Sequence, residues 1–502
     1  MKVKTVKIEI RTGRSKIIAV GEQFGKELDL HPMDRVQLVK DDKKVIATVD
    51  FWTEIKEKNA IGVFEEVWQA LQLKEGDMVE IKPMEKPTSI EHIIAKMNGE
   101  ELSEKQYVSI VDDIVEDRLT DIEITAFISA VYMNGTTTNE AYYLTKSIAE
   151  KGERLNFGDE IIADKHCSGG VPGNRTTMVV VPIIAALGIK IPKCSSRAIT
   201  SPAGTADTME VLAKVDLPAS RIKEIVNKVN GCIVWGGGLN IAPADDKMIK
   251  VRKPLSLDPE GLLLASILAK KYAMGSTHVL FDLPVGQETK HKSIGEARHL
   301  ERQFITLGRK LGMNIAVILT DGNEPIGQGV GPALECVDVL KVLMNRPDAP
   351  ADLKDKGLMM AGKLIELIGI EKFKKDGREG DGYYIAKEVL ESGKAWKKMQ
   401  EIIKEQEGDP DITPEKIRIG KYTKEIRAPK SGKVFGVKNK LLAKVARIAG
   451  APETKSAGVF LSAVYGKNVK QGDLLATIYA ESPEKAERAF AIQDGKELFE
   501  II

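Results

Sequence analysis

Two loops of the sequence carry the residue types that an anion-binding site needs. Residues 164–177 have the sequence DKHCSGGVPGNRTT and residues 194–210 the sequence CSSRAITSPAGTADTME, and each precedes a helical pattern. Glycines let backbone N–H groups approach an anion, lysine and hydroxyl groups donate hydrogen bonds, and a helix N-terminus favours negative charge. A glycine-rich loop alone is more often a tight turn, and Thr205 or Asp207 could be plain helix caps. Two such loops close in sequence nevertheless predict a shared phosphate site.

Two further segments combine polar side chains with glycines or helical spacing. They are residues 235–247, WGGGLNIAPADDK, and residues 258–271, DPEGLLLASILAKK. In the second segment Ser266 and Lys270 are four residues apart, so they share one face of the predicted helix. A serine at a helix contact and a solvated lysine would give the same pattern, so the spacing leaves both interpretations open.

In this order and spacing, the four motifs resemble those of the thymidine and pyrimidine-nucleoside phosphorylase family. The most specific is the family's S-x-R-x-x-x-x-x-G-G-T-x-D-x-x-E, which appears here from Ser195 to Glu210, with Ala203 replacing the first glycine of GGT. The similarity extends from about residue 88 to the C-terminus. Residues 1–84 resemble the additional domain of the archaeal branch, whose members act on nucleoside 5′-monophosphates.

The resemblance implies an enzyme, a pentosyltransferase that uses inorganic phosphate as a substrate and needs no cofactor and no metal. AMP, with CMP and UMP as further substrates, would give free base and ribose 1,5-bisphosphate in nucleotide salvage. The family usually forms homodimers through its helical domain, so we expect a homodimer or a larger homo-oligomer.

The resemblance also assigns residues to the two substrates. It implies that inorganic phosphate is bound by Lys165, Ser168, Ser195 and Thr205. It implies that AMP is bound by Gly170, Ser196, Arg197, Ala198, Ile199, Thr200, Ser201, Thr205, Ser266 and Lys290. Asp258 matches the catalytic proton donor, although an aspartate followed by Pro259 and Glu260 is also typical of a helix N-cap. A donor at neutral pH needs a raised pKa, which burial could supply.

Departures from the bacterial enzymes bear on the substrate. Their KHSTGG loop is KHCSGG here, their GRGLGHTGG stretch is residues 196–204, SRAITSPAG, and their SGAFM segment is residues 287–291, QETKH. The arginine that follows their APAD motif aligns with Arg252. The extra hydroxyl groups and Lys290 predict a second anion on the substrate, a 5′-phosphate. The alternative is that Lys290 is a surface charge on a variable loop.

Three other functions fit parts of the sequence. A phosphorylase of plain thymidine or uridine would have no use for Lys290. A transferase like anthranilate phosphoribosyltransferase shares the fold and a similar loop, but it needs an acidic magnesium site, and no clear motif for one lies beside the loops. A non-catalytic assembly protein would fit an N-terminal repeat, but Lys165, Ser195 and Asp258 are all present.

The elements that position these loops predict a multidomain α/β protein. Short strands and a repeat, in which residues 24–38 align with 67–81, predict a small β-rich, double-psi-like barrel at the N-terminus. The predicted domains are the barrel at 1–84, a helical domain at 85–157 with about 240–275, an α/β phosphate-binding domain at 158–239 and 276–425, and an α+β domain at 426–502.

Composition excludes several classes of partner. Lys plus Arg number 74 and Asp plus Glu 73, a net charge of +1, so bulk charge supports neither nucleic-acid binding nor a polybasic membrane anchor. Four cysteines lie far apart without a CxxC pair, which argues against a zinc ribbon or disulfide scaffold. The longest apolar run, residues 178–189, is too short to span a bilayer. We expect a soluble cytoplasmic protein.

Overall fold

The structure is a computed structural model that describes residues 1–13, 15–55, 57, 59–158, 160–198, 201–255, 257–369, 380–492 and 497–502. The described residues form two compact units. The first comprises Met1–Lys151 and Pro243–Ser266, and the second comprises Gly152–Ala242 and Ile267–Ile502. Each unit therefore combines segments that are distant in the sequence.

The N-terminal part of the first unit is a closed six-stranded barrel in the order β1–β5–β2–β4–β3–β6. Its elements are β1 (Lys2–Lys7), β2 (Ile17–Val20), α1 (Glu22–Glu27), β3 (Arg35–Lys40), β4 (Lys43–Phe51), β5 (Ala60–Val63), α2 (Glu65–Ala70) and β6 (Met78–Met84). Both copies of the repeat form a helix, a turn and a strand, and the turns use Met33 and Gly76 at positive φ. The paired β3 and β6 bury Val36 and Val79.

Helices follow the barrel: α3 (Ser89–Met97), α4 (Glu104–Val115), α5 (Asp121–Asn134) and α6 (Thr138–Glu150). Capping boxes begin α5 and α6, where Thr120 and Thr137 pair with the glutamate three residues on. Asp117 joins barrel and helices, because its carboxylate lies 2.6 Å from Lys16 Nζ and 2.5 Å from Lys247 Nζ.

Parallel strands alternate with helices in the second unit, as the sequence predicts. The strands up to residue 330 are β7 (Ala163–Cys167), β8 (Ile191–Ser195), β9 (Gly231–Trp235), β10 (His278–Val285), β11 (Asn314–Asp321) and β12 (Gly329–Val330). The helices up to residue 405 are α7 (Thr176–Ala186), α8 (Thr205–Met209), α9 (Ala219–Val229), α10 (Pro243–Arg252), α11 (Glu260–Ala273), α12 (Ile294–Lys310), α13 (Pro332–Leu343), α14 (Ala351–Ile368), α15 (Asp381–Glu391) and α16 (Lys394–Glu405). Of these, α10 and the start of α11 lie in the first unit.

The parallel strands are arranged as β11–β10–β7 and β8–β9, and a parallel bridge between Ile162 and Lys190 connects the two sets. Helix α7 is apolar along most of its length and is buried almost completely, packed against α14 and α16. Its position fixes the loop before it, because residues 168–175 connect β7 directly to α7.

The C-terminal part consists of two small antiparallel sheets and two helices. Its elements are β13 (Tyr422–Arg427), β14 (Gly432–Val437), α17 (Asn439–Ala449), β15 (Gly458–Leu461), β16 (Asn468–Val469), β17 (Leu474–Ala480), α18 (Pro483–Ala491) and β18 (Phe499–Ile501). Strand β12 pairs with β15, so one C-terminal sheet extends into the α/β part.

Candidate active site

Three predicted substrate loops leave the carboxyl ends of strands in the parallel arrangement. Strand β7 leads into Ser168 and Gly170, β8 ends at Ser195, and β10 leads into the turn that carries Lys290. In open parallel sheets, ligands bind beyond the carboxyl ends of the strands. The fold thus brings motifs that are far apart in the sequence to one edge.

Lys165 is buried beneath this edge. Its Nζ donates to Thr176 Oγ1 at 2.8 Å and lies 3.5 Å from Asp282 Oδ2. Asp282 also accepts from Thr320 Oγ1 at 2.7 Å and lies 3.3 Å from Lys356 Nζ. Burial acts to raise the pKa of Asp282, but the two lysines and the threonine hold that pKa below its usual value. Lys165 therefore sits in a charged network that has one more cation than anions.

Ser168 presents a hydroxyl group with an unmet hydrogen-bonding capacity. Its backbone N–H donates to the carbonyl oxygen of Asp282 at 3.0 Å, whereas its buried Oγ has no hydrogen-bond partner among the described residues. A buried hydroxyl group without a partner is energetically costly. A bound oxyanion would remove that cost.

Gly170, in the loop after β7, lies against the backbone of Lys290, in the turn after β10. Gly170 has φ +95°, and a Cβ placed on it would lie 3.2 Å from the backbone N of Lys290. This close approach, as well as the positive φ, requires glycine. The side chain of Lys290 is exposed and forms no ion pair with any described residue.

The 196–204 loop is closed by Asp207. Its Oδ2 accepts from the backbone N–H groups of Ala198 at 2.7 Å and Gly204 at 2.9 Å. Ser201 Oγ donates to the carbonyl oxygen of Ala203 at 3.0 Å. Ser195 and Thr205 are partly buried at the two ends of the loop, and the backbone oxygen of Ser196 accepts from Ala206 N–H. The predicted AMP ligands Ile199 and Thr200 lie outside the described residues.

Arg197 has protein partners of its own. Its guanidinium makes two hydrogen bonds to Glu210, lies over the ring of Trp235 at 4.9 Å and is 3.4 Å from Asp207. Lys455 also reaches Glu210, at 2.8 Å. The hydrogen bonds from Arg197, with Lys455, lower the pKa of Glu210 to about 2 although burial opposes the shift. The side chain of Arg197 thus fixes the loop, and its role as an AMP ligand stays a prediction.

A buried ion pair that the sequence did not reveal ties the two anion loops together. Arg175 pairs with Glu335 and also donates to the carbonyl oxygens of Asn174 and Ala203. Glu335 accepts in addition from Thr208 Oγ1 at 3.0 Å. The partners are 160 positions apart, so no local pattern announces them.

A second buried cluster adds positive charge near His166. Asp164 lies 2.7 Å from Lys271 Nζ and 3.4 Å from Lys193 Nζ. Burial lowers the pKa of His166 well below its usual value, and Lys271, Lys193, Lys165 and Lys290 lower it further. The imidazole is therefore neutral at pH 7, and the surrounding lysines favour anions at this edge.

The first unit carries the remaining predicted residues. Asp258 is 47% exposed, so it lacks the burial that was expected of a proton donor, and its Oδ1 accepts from Arg252 Nη1 at 3.1 Å. Ser266 is buried, and its Oγ donates to Asp245 Oδ2 at 2.6 Å. The third and fourth motifs are thus joined through α10 and α11. The hydroxyl oxygen of Ser266 keeps lone pairs that could accept from a ligand.

The part of the chain that the structure describes contains no group of three or more His, Cys, Asp and Glu side chains arranged to hold a metal ion. None of its helices is long and apolar enough to cross a membrane.

Two family models match the chain: the helical bundle domain of a glycosyl transferase family at residues 90–152, and the a/b domain of a glycosyl transferase family at residues 159–396. Among solved structures, anthranilate phosphoribosyltransferase from Thermus thermophilus is similar, with a TM-score of 0.53 and 17% identity over 63% of this chain and 99% of that chain. That likeness concerns the fold alone. The protein is an enzyme of the glycosyl transferase class, and the predicted multidomain α/β fold is confirmed.

More similar relatives narrow the class. AMP phosphorylase from Pyrococcus furiosus is 45% identical over 98% of this chain and 96% of its own length. AMP phosphorylase from Methanococcoides burtonii is 44% identical over 99% of this chain and 96% of its own length. A putative thymidine phosphorylase from Legionella pneumophila is 44% identical over 89% of this chain and 85% of its own length. The chain belongs to the AMP phosphorylases of the thymidine phosphorylase family, which confirms the resemblance of its motifs.

Proposed function

We propose that this protein catalyses the phosphorolysis of AMP. Inorganic phosphate attacks C1′ of the ribose, the bond from C1′ to the base breaks, and adenine and ribose 1,5-bisphosphate are released. The observation that carries the proposal is Lys290, whose side chain is exposed and forms no ion pair with a described residue, and whose backbone lies against Gly170 of the glycine-rich loop. A cation at that place suits a second anion on the substrate, in addition to the attacking phosphate.

Binding two anions side by side is the first task of such an enzyme. We assign inorganic phosphate to Lys165, Ser168, Ser195 and Thr205, and the 5′-phosphate to Lys290. The excess of lysine around Asp164 and Asp282 supports this assignment, because it offsets the repulsion between the two phosphates. Held in this way, the phosphate oxygen and C1′ react as parts of one complex.

Departure of the base is the second task. Adenine leaves poorly as an anion, so a proton must reach its ring as the bond to C1′ breaks. We assign Asp258 as the donor of that proton. Arg252 lies 3.1 Å from its Oδ1 and favours the carboxylate, so the donor role requires that this contact is released when the nucleotide binds. Ser266 binds the nucleotide through its hydroxyl oxygen, whose proton points to Asp245.

The base of the nucleotide is not fixed by the proposed 5′-phosphate contact. We extend the substrates to CMP and UMP, since the 5′-phosphate contact does not depend on the base. Phosphorolysis of thymidine, the reaction in the name of the Legionella pneumophila relative, is the alternative, and the AMP phosphorylase relatives do not favour it. That reaction would not use Lys290.

The test is base release from AMP, CMP, UMP, uridine and thymidine by the whole protein, with and without inorganic phosphate. Chromatography would quantify the base, and ³¹P NMR would identify the sugar product. We expect adenine only when phosphate is present, with a product that carries two phosphate groups. Base release from uridine or thymidine alone would overturn the proposal in favour of the alternative.

We also propose that the protein is a homo-oligomer with a helical contact. Helices α3 and α5 pack together and expose Ile94, Met97, Tyr132 and Met133, the last at 82%. Such an apolar patch is typical of a protein–protein contact. Light scattering after size exclusion should give a lower mass for Met133→Glu than for the unmodified protein, and an unchanged mass would contradict this contact. A chain that starts near Pro87 should lose any assembly beyond the dimer.

A further inference from the structure

The turn that carries Lys290 is closed by its own hydrogen bonds. Gly286 N–H donates to the carbonyl oxygen of His291 at 3.1 Å, and Thr289 N–H donates to that of Gly286 at 3.2 Å. The hydroxyl of Thr289 lies 2.9 Å from the oxygen of Gly286 and 2.8 Å from that of His291. Lys290 therefore projects from a compact turn. The surface on which the turn packs decides where its ammonium group can reach.

Part of this surface is formed by α17, the first helix of the C-terminal part. Its N-cap, Lys438, supplies no side-chain cap, so the first N–H groups of the helix need acceptors from elsewhere. Glu288 supplies one, because its Oε2 accepts from the backbone N–H of Lys440 at 2.8 Å. A carboxylate at a helix N-terminus is also favoured by the helix dipole.

A second contact runs from the same helix to the neighbouring loop after β11. The side chain of Asn439 is buried, and its Nδ2 donates to the carbonyl oxygens of Gly322 at 3.1 Å and Asn323 at 3.0 Å. Gly322 lies directly against Thr289, because a Cβ placed on it would be 2.4 Å from Thr289 Cγ2. The first turn of α17 thus binds both the turn that carries Lys290 and the loop after β11 that packs against this turn.

We infer that Glu288 is a positioning residue for the 5′-phosphate of the substrate. By anchoring its turn to the N-terminus of α17, it sets the place from which Lys290 reaches the phosphate, so the C-terminal part takes part in substrate specificity. The inference rests on the proposed function, since it takes Lys290 as the ligand of the 5′-phosphate. Inorganic phosphate bound by the loops after β7 and β8 does not depend on this anchor.

The test is a double-mutant cycle in the full chain, with the KM for AMP, the KM for inorganic phosphate and kcat measured for each variant. Glu288→Ala should raise the KM for AMP about tenfold, and Lys290→Ala should raise it about thirtyfold, the scale of one charge-assisted hydrogen bond. The KM for inorganic phosphate and kcat should change less than about twofold. The double variant should resemble Lys290→Ala, because Glu288 acts only through that lysine.

Two further variants separate positioning from general damage. Glu288→Gln keeps an acceptor for Lys440 N–H, so it should restore the KM for AMP to within about threefold of the unmodified value. Glu301→Ala removes the same charge from helix α12, where Glu301 pairs with Arg298 at 2.7 Å, and should change none of the three constants.

The outcomes of these measurements distinguish an error in the role of Glu288 from an error in the proposed reaction. Effects of Glu288→Ala and Lys290→Ala that multiply in the double variant, or an equal rise in both KM values, would overturn the inference. An unchanged KM for AMP in Lys290→Ala would remove the ligand on which the inference depends, while phosphate-dependent release of adenine would still uphold the proposed reaction. Absence of that release in the unmodified protein would refute the proposed function itself.

Discussion

The buried pair of Arg175 and Glu335 gives the sharpest prediction about stability. Glu335 is 1% exposed and accepts hydrogen bonds from Arg175, from Thr208 Oγ1 at 3.0 Å and from Gly331 N–H at 3.2 Å. Glu335→Ala would remove all of these acceptors at once. Arg175, which is 8% exposed, would keep its charge in a site that water scarcely reaches.

The uncompensated charge dominates the expected cost. Removing one partner of a buried ion pair costs about 3–5 kcal/mol, compared with about 1 kcal/mol for a typical neutral hydrogen bond. We therefore expect Glu335→Ala to lower the free energy of unfolding by about 4 kcal/mol. Replacing both residues, as Arg175→Met with Glu335→Leu, removes the isolated charge and should recover about half of that loss.

Urea unfolding followed by circular dichroism measures both effects. The double replacement should still raise the KM for inorganic phosphate, because Arg175 no longer ties the loop after β7 to Ala203 of the next loop. A loss below about 1 kcal/mol in Glu335→Ala would contradict the expected cost of an isolated buried charge. So would a double variant that is no more stable than Glu335→Ala.

Three further predictions concern single side chains. Gly170→Ala should raise the KM for AMP about tenfold, because its φ of +95° and the Lys290 backbone 3.2 Å away leave no room for a Cβ; an unchanged KM would contradict this packing. Asp258→Asn should lower kcat for AMP at least about 100-fold with little change in KM, and equal effects on both constants would instead indicate a binding role. Burial and neighbouring carboxylates raise the pKa of Glu324 from 4.5 to about 7, so its contribution to stability is full below pH 4.5 and is lost as pH rises through 7. Glu324→Gln should therefore stabilise the protein by about 1–2 kcal/mol above pH 7 and not below pH 4.5 in urea unfolding, and a difference that is constant with pH would contradict this.

The sequence predicts the loops well because their signals are local. Glycines, hydroxyl residues and a following helical pattern lie next to one another at 164–177 and 194–210, and the alternation of strand and helix places such loops at one edge. The N-terminal repeat is visible for the same reason, since each copy is a contiguous helix, turn and strand.

Contacts between distant positions could not be predicted in this way. Glu288 meets Lys440 across 152 positions, and Arg175 meets Glu335 across 160. A charged residue in a single sequence has many possible partners, and only the fold selects one. Arg197 illustrates the point: its motif suggests a ligand for AMP, whereas its guanidinium is bound to Glu210.

In the proposed reaction, Lys290 recognises the 5′-phosphate of the nucleotide. The most direct measurement is kcat/KM for AMP and for adenosine, at saturating inorganic phosphate, in the unmodified protein and in Lys290→Ala. We expect a strong preference for AMP that falls about thirtyfold in the variant, while kcat/KM for adenosine stays the same. An equal loss on both substrates, or a preference for AMP that survives without Lys290, would rule out this role of Lys290.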